Sequence, residues 1–357
     1  MQQELTTKLK TVRDILTAVS IGDRLGMPVE TMSRAEIIEA LGPEGVTKYL
    51  YPVQAQIHKT SRFVAGKHTD DWQLTACNIK SFLTSRDYDP KQFALDHVDA
   101  MQNSVAGWGK TTMAGLVQIQ EYFRSKGKVG RHYLVPAVCG PNQGAGNGVA
   151  MQISPLAIFA NLKKQDGFFH PEPLCSWVLS LGRMTHSDVD AINCAYVLAS
   201  AYSYLLDHPL QNNRSIDCGL FIEFLCNQAN FFQGKFGVQG QLPQLLRRIQ
   251  CAVANYSVFS DPNWARETFG TGVLAVQSVP YSIAKFLQYQ QDFEKGVLAA
   301  INDGGDTDST GSMVAGLIAA NQAEIPVWMK EFPNQTEQDN PAKIIELADL
   351  LFVTANG

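Results

Sequence analysis

Two acidic clusters more than two hundred residues apart carry the clearest chemistry in this chain: Thr69-Asp70-Asp71 and Asp306-Thr307-Asp308-Ser309. Four carboxylates brought together repel one another and raise one another's pKa unless a cation sits between them. Hard oxygen donors of this kind suit Mg²⁺ or Mn²⁺. A metal-dependent enzyme is therefore the leading reading. Each cluster also stands where a helix should begin, and there Asp and Thr serve as caps for unpaired backbone donors. Taken one at a time, capping accounts better for either cluster. It leaves the redundancy unexplained, because one cap needs one side chain and each cluster offers two carboxylates beside a hydroxyl.

The elements that must position these clusters can be read from periodicity. Leu74, Cys77, Ile79, Phe82 and Leu83 follow the first cluster at helical spacing, and an apolar run over 313–320 follows the second. Within that second helix Gly311, Ser312, Ala315, Gly316 and Ala319 keep the surface slim, so a neighbouring helix can come close. Gly304-Gly305 leaves the backbone free to bend around a bound group. Leu5, Leu9, Val12, Leu16 and Val19 form one face of an amphipathic first helix, which the turn residues Gly22, Gly26 and Pro28 break, delivering Glu30. By itself Glu30 reads as a solvated residue after a loop. Helical spacing recurs over 37–41, 116–123, 192–206, 221–229, 242–256, 283–289, 293–301 and 344–352, and strand patterns are scarce. The expected fold is an all-α, compact single-domain helical bundle spanning 1–357.

Three further segments could contact a ligand. Gly146-Asn147-Gly148, with a helix expected from about Val149, could face backbone N–H groups toward a diphosphate, although as a bare tripeptide it reads better as a flexible turn. The loop Gly107-Trp108-Gly109-Lys110-Thr111-Thr112 lacks the spacing and preceding strand of a phosphate-binding P-loop. Thr185-His186 is expected to open the helix through Ala191, Ala195 and Leu198, where a lone His serves as a cap or core partner as readily as a ligand contact.

Taken in order, the Gly22–Glu30 turn, Thr69-Asp70-Asp71, Gly107–Thr112, Gly146–Met151, Thr185-His186 and Gly304–Ser309 resemble the ADP-ribosylglycohydrolase family, from about Leu5 to about Ala320. The resemblance implies an all-α hydrolase that removes ADP-ribose from modified protein side chains, with two divalent ions, Mg²⁺ or alternatively Mn²⁺. It implies Thr69, Asp70, Asp71, Asp306, Asp308 and Ser309 as metal ligands and Glu30, Asp70 and Asp71 as the catalytic set, Glu30 transferring a proton or gating the site. It assigns Gly107, Trp108, Gly109 and Thr111 to ribose and phosphate, Gly146, Asn147, Gly148 and Met151 to ADP-ribose, and His186 to ribose hydroxyls. Ser309 stands where relatives carry Thr and keeps the oxygen. Gln152 replaces an Arg, no acid lies near Ala106-Gly107-Trp108, and no Pro follows His186. The expected linkage is to arginine, the alternatives being ADP-ribosyl-serine, a free ADP-ribose derivative, or a non-catalytic binding or structural relative such as the lens crystallins of this fold.

Composition agrees with a globular enzyme: 357 residues, 45% hydrophobic and 18% charged, enough to bury a large core. A net charge of -5 without a basic stripe gives no reason to expect nucleic acid as a partner. The expected partners are ADP-ribose and an ADP-ribosylated protein, on a monomer without membrane association. Seven cysteines at 77, 139, 175, 194, 218, 226 and 251, with no Cys-x-x-Cys pair, suit small buried hydrophobes in a reducing compartment. A cytoplasmic location is expected, with export as a bacterial effector the alternative.

Overall fold

The computed structural model describes residues 2–53, 64–103, 107–126, 144–164, 170–208, 215–333 and 340–357. Cys139 and Ala106 lie outside these residues. The helices run in the order α1 (Gln2–Gly26), α2 (Arg34–Leu41), α3 (Asp70–Ser85), α4 (Pro90–Gln102), α5 (Lys110–Lys126), α6 (Ser154–Lys163), α7 (Pro171–Gly182) and α8 (Val189–Asp207). There follow α9 (Cys218–Phe236), α10 (Leu242–Val253), α11 (Tyr256–Phe259), α12 (Trp264–Phe269), α13 (Ala275–Gln288), α14 (Phe293–Asn302), α15 (Thr307–Ala320), α16 (Val327–Lys330) and α17 (Pro341–Asn356). Among the described residues the only extended pairing is two isolated bridges, Ser33 with Gly304 and Gly146 with Leu274. The all-α expectation holds.

Helix α15 is the hub. Every residue from Thr307 to Ala320 is buried, which is what an all-round small and apolar sequence should do, and α1, α8, α13 and α14 all pack on it. Its most extensive partner is α1, which runs antiparallel to it, Gly26 meeting Thr307, Gly22 meeting Gly311 and Val19 meeting Gly316. A Cβ on Gly22 would collide with the backbone of Gly311, and one on Gly26 with the carbonyl of Thr307. The two backbones therefore touch, as the slim face of α15 predicts.

One expectation changes here. Gly22 does not break α1, which continues to Gly26; the residue stays helical and serves the close crossing instead. The end of α1 meets the start of α15, where the Thr307 hydroxyl donates to the carbonyl of Gly26 at 2.8 Å. A carbonyl that the helix end leaves unpaired is satisfied by the neighbour's first residue.

Two other boundaries differ. The chain after Gly148 makes a single turn, closed by Met151 N–H donating to Asn147 C=O at 3.0 Å, and α6 begins only at Ser154, not near Val149. Pro155, in the first turn, fixes that start because proline fits the positions whose N–H groups would be unpaired anyway. The 242–256 segment is interrupted between α10 and α11 at Ala254 and Asn255.

Candidate metal centre and its flanking loops

The capping question is decided by Asp23, a buried carboxylate on α1. It accepts the N–H of Thr69 at 2.8 Å, the N–H of Trp72 at 2.9 Å and the Thr69 hydroxyl at 2.9 Å. A residue distant in sequence thus caps α3, and the Thr69 side chain makes no cap bond of its own. Asp70 and Asp71 are left free to turn inward. At α15 the Asp306 side chain likewise makes no cap bond, while Asp308 takes the neighbouring Ser309 N–H at 2.8 Å. Asp23 was not among the candidates, yet its signal is in the sequence. Val12, Leu16, Val19 and Asp23 fall on one stripe of α1, so the charge must face inward with the apolar residues.

The two helix starts meet directly. The Thr69 hydroxyl lies 3.1 Å from Asp308 Oδ2, and the Ser309 hydroxyl lies 3.3 Å from Asp71 Oδ2 and 3.7 Å from Met151 Sδ. Glu30, Asp306 and Asp308 offer oxygens that all lie within 4.8 Å of one another. Asp71 Oδ1 is buried and has no hydrogen-bond partner among the described residues. Both facts suit a bound cation.

The electrostatics say the same. Burial first, and then the Asp308 charge, hold Asp70, Asp71 and Asp306 well above the ordinary carboxylate range. Glu30, half-buried, is pushed up to about 10, first by Asp308, then by burial, Asp306, Asp70 and Asp23. Asp23 rises to about 7 through burial and Asp308, against the opposing N–H groups of Trp72 and Thr69. Like charges packed this closely cannot all ionise without a positive charge among them.

Main-chain bonds fix the loops that carry these groups. Thr31 N–H donates to Gly305 C=O and Gly305 N–H to Met32 C=O, each at 2.7 Å, while Asp306 N–H donates to Thr271 C=O at 2.7 Å. Gly304 and Gly305 adopt φ of 79° and 87°, the left-handed region that glycine enters without penalty, so the expected bend is present. Thr31, next to Glu30, also has a positive φ of 68°, an uncommon conformation for a β-branched residue and one that clusters at functional sites. Asn147 N–H donates to Val273 C=O at 2.9 Å and the Asn147 side-chain amide to Asp306 Oδ2 at 2.6 Å.

These groups line a cavity of about 440 Å³. Its walls include Glu30, Asp70, Asp71, Gly107, Gly109, Thr111, Gly146, Asn147, Gly148, Met151, His186, Asp306, Asp308 and Ser309, and Lys110, Thr112 and Val273 join them. Two candidates do not line it. Thr69 sits behind the wall between Asp23 and Asp308, and Trp108 points its indole N–H at Gln73 Oε1, 2.8 Å away. His186 does not open α8; Asp188 caps that helix by accepting Ala191 N–H at 2.8 Å. The His186 ring is buried, with Nδ1 2.7 Å from the Thr185 hydroxyl, and burial lowers its pKa to about 4. The neutral ring lies against the glycine loop, since a Cβ on Gly148 would stand 3.3 Å from its Nε2.

The donor set, carboxylate and hydroxyl oxygens with one orphaned buried oxygen, fits a hard divalent cation. The ADP-ribosylglycohydrolase family matches the chain over residues 4–356. An uncharacterized protein of Archaeoglobus fulgidus is 24% identical over 330 residues, covering 89% of this chain and 90% of its own length. The uncharacterized protein YegU of Escherichia coli strain K12 is 25% identical over 320 residues, 88% of each chain. A solved chain described as an ADP-ribosylglycohydrolase-related protein complex shares the fold, with a TM-score of 0.59 at 21% identity over 98% of this chain and 99% of its own.

Proposed function

The chain belongs to the ADP-ribosylglycohydrolase family, and from that premise we propose that it is a metal-dependent hydrolase releasing ADP-ribose from modified arginine side chains. The observation that carries the reading is the convergence of Glu30, Asp70, Asp71, Asp306 and Asp308 on one cavity, with a buried Asp71 oxygen that has no partner among the described residues. Asp306 and Asp308 would hold one Mg²⁺ or Mn²⁺, and Asp70, Asp71 and Ser309 a second, with Glu30 at the edge of the site. Such ions supply charge that orients ribose hydroxyls and acidifies a bound water.

The chain's own groups do the rest. The glycine loops at 107–109 and 146–148 leave room for the sugar and diphosphate, and His186 offers a neutral ring edge to the same cavity. Hydrolysis adds the oxygen of water to the ribose anomeric carbon and breaks the carbon–nitrogen bond to the guanidinium through an oxocarbenium-like state. Glu30 is the group placed to take a proton from that water and return one to the leaving nitrogen. Arginine's guanidinium stays charged at any working pH, and the acidic walls suit a cationic leaving group.

Matched proteins carrying ADP-ribose on arginine or on serine, assayed at saturating Mg²⁺ and Mn²⁺, provide the test. Faster release from arginine is expected, and equal or faster release from serine would overturn the linkage. No release from either would overturn the hydrolase reading.

A further inference from the structure

A separate cavity, of about 280 Å³, lies where the end of α14 meets α2 and α13, and it shares no wall residue with the acidic one. Its walls include Arg34, Ile38, Asn263, Lys285, Asn302 and Asp303. Charge around it is one-sided. The buried Asp303 carboxylate meets three cations: Lys285 Nζ lies 2.9 Å from Oδ2, while Arg34 Nη1 and Arg266 Nη1 lie 3.4 and 3.9 Å from Oδ1. The Tyr281 hydroxyl donates to Oδ2 as well, at 2.8 Å. One negative charge thus answers three positive ones. Glu44 on the rim and Glu267, 3.7 Å from Arg266, are exposed, where water screens their charge.

The donors are unspent as well. The Lys285 side chain is 1% exposed, so its ammonium has no water shell to complete its bonding. Of three N–H donors it gives one to Pro262 C=O at 2.6 Å and one to Asp303, and the third has no acceptor among the described residues, the rings of Tyr281 and Tyr289 standing 5.8 Å away. Arg34 spends Nη1 on Asn302 C=O at 3.2 Å and on Asp303, and its Nε and Nη2 have no partner among the described residues. Burial holds Lys285 below the ordinary lysine range; Asp303 opposes that shift, and the charges of Arg266 and Arg34 add to it. An oxyanion accepts from an ammonium and a guanidinium fork at once, in short charge-assisted bonds. The volume falls below the roughly 300–1,000 Å³ of pockets for larger ligands, which favours a bare ion over one carrying a sugar or base.

We propose that this cavity binds a free tetrahedral oxyanion of the phosphate class, held by Lys285 and by the unspent donors of Arg34. The site stands apart from the hydrolase reading and does not depend on it. Arg34 directly follows Ser33, whose bridge to Gly304 joins the segment after Glu30 to the segment before Asp306. An anion that ties Arg34 to Lys285 therefore braces, from outside the metal centre, the two loops that carry those carboxylates.

Calorimetric titration of inorganic phosphate into the full chain, in chelator and at an ionic strength held constant with chloride, tests it on the wild type, Arg34→Gln and Ile38→Glu. Chelator keeps phosphate from binding through a metal ion. Ile38 is 39% exposed and takes no part in the bonds above, so Ile38→Glu sets a negative charge on the cavity wall without breaking any of them. The wild type should bind phosphate with a Kd of about 1 mM or tighter, and each variant should weaken that binding by about tenfold or more. No saturable binding to the wild type up to about 10 mM would overturn the proposal, and so would a loss smaller than about tenfold in either folded variant. Melting curves establish that the variants are folded, and if Arg34→Gln is not, Ile38→Glu decides alone.

Discussion

Asp23 and Asp71 are both buried carboxylates, yet physics gives them opposite tasks. Asp23 is saturated by the donors of Thr69 and Trp72, whereas Asp71 Oδ1 is buried with no hydrogen-bond partner among the described residues. Asp23→Ala should therefore cost on the order of 1–2 kcal/mol in stability, the value of a lost helix cap. Asp71→Asn should behave differently: in chelator it should be as stable as wild type or more so, because it removes one of several repelling charges, while turnover at saturating metal should be almost abolished. Denaturant unfolding in chelator, paired with an ADP-ribose release assay, reads both. An Asp71→Asn protein that kept near wild-type turnover would sink the metal assignment. The acidic clusters were legible because redundancy of ligands is visible in a sequence. The Asp23 cap was not proposed because its partners lie 46 and 49 residues away, and its only local trace is a charge on an apolar stripe.

At the scale of elements, the crossing of α1 and α15 makes a sharper claim than helix propensity alone. Alanine at a helical glycine normally stabilises by about 0.5–1 kcal/mol. Gly234→Ala in α9, where an added Cβ meets nothing within 4 Å, should show that gain. Gly22→Ala should reverse the sign and cost about 1–3 kcal/mol or more, since its Cβ would run into the backbone of Gly311 and force two helices apart. Paired melting curves decide it, and a stabilised Gly22→Ala protein would mean that the crossing is looser than described. Small residues on α15 announced this packing in advance, but Gly22 read as a breaker because glycine's entropy cost and its usefulness in close contact look identical in sequence. The start of α6 was misplaced for a related reason. The turn after Gly148 is helical for one bond only, and Pro155 sets the true boundary.

For the molecule as a whole, the metal-linked stability should be measurable without any substrate. A cation that binds the folded site at a hundredfold excess over its Kd adds about 2.7 kcal/mol, so Mg²⁺ or Mn²⁺ should raise the Tm by several degrees. The difference should also depend on pH. Glu30 is raised from 4.5 to about 10, so its contribution in chelator is fully present below pH 4.5 and is lost as pH rises through about 10. The gap in Tm between metal and chelator should therefore widen from pH 6 to pH 9, and a Tm indifferent to metal across that range would count against a formed site. Helix content was legible because periodicity is a local signal, whereas the joining of the two acidic clusters into one site was implied only by the family resemblance. The bonds among residues 31–33, 145–147, 271–275 and 303–306 were not, since they join main-chain groups that every residue possesses. Asp71 and Ser309 meet across 238 residues, and the closure of so long a loop is deferred until the intervening helices have packed. A chain emerging from the ribosome carries half of the acidic cluster until α15 has been synthesised, so a nascent fragment ending before Asp306 should be inert toward substrate, and a cation bound there should act as the last fastening of a fold already assembled.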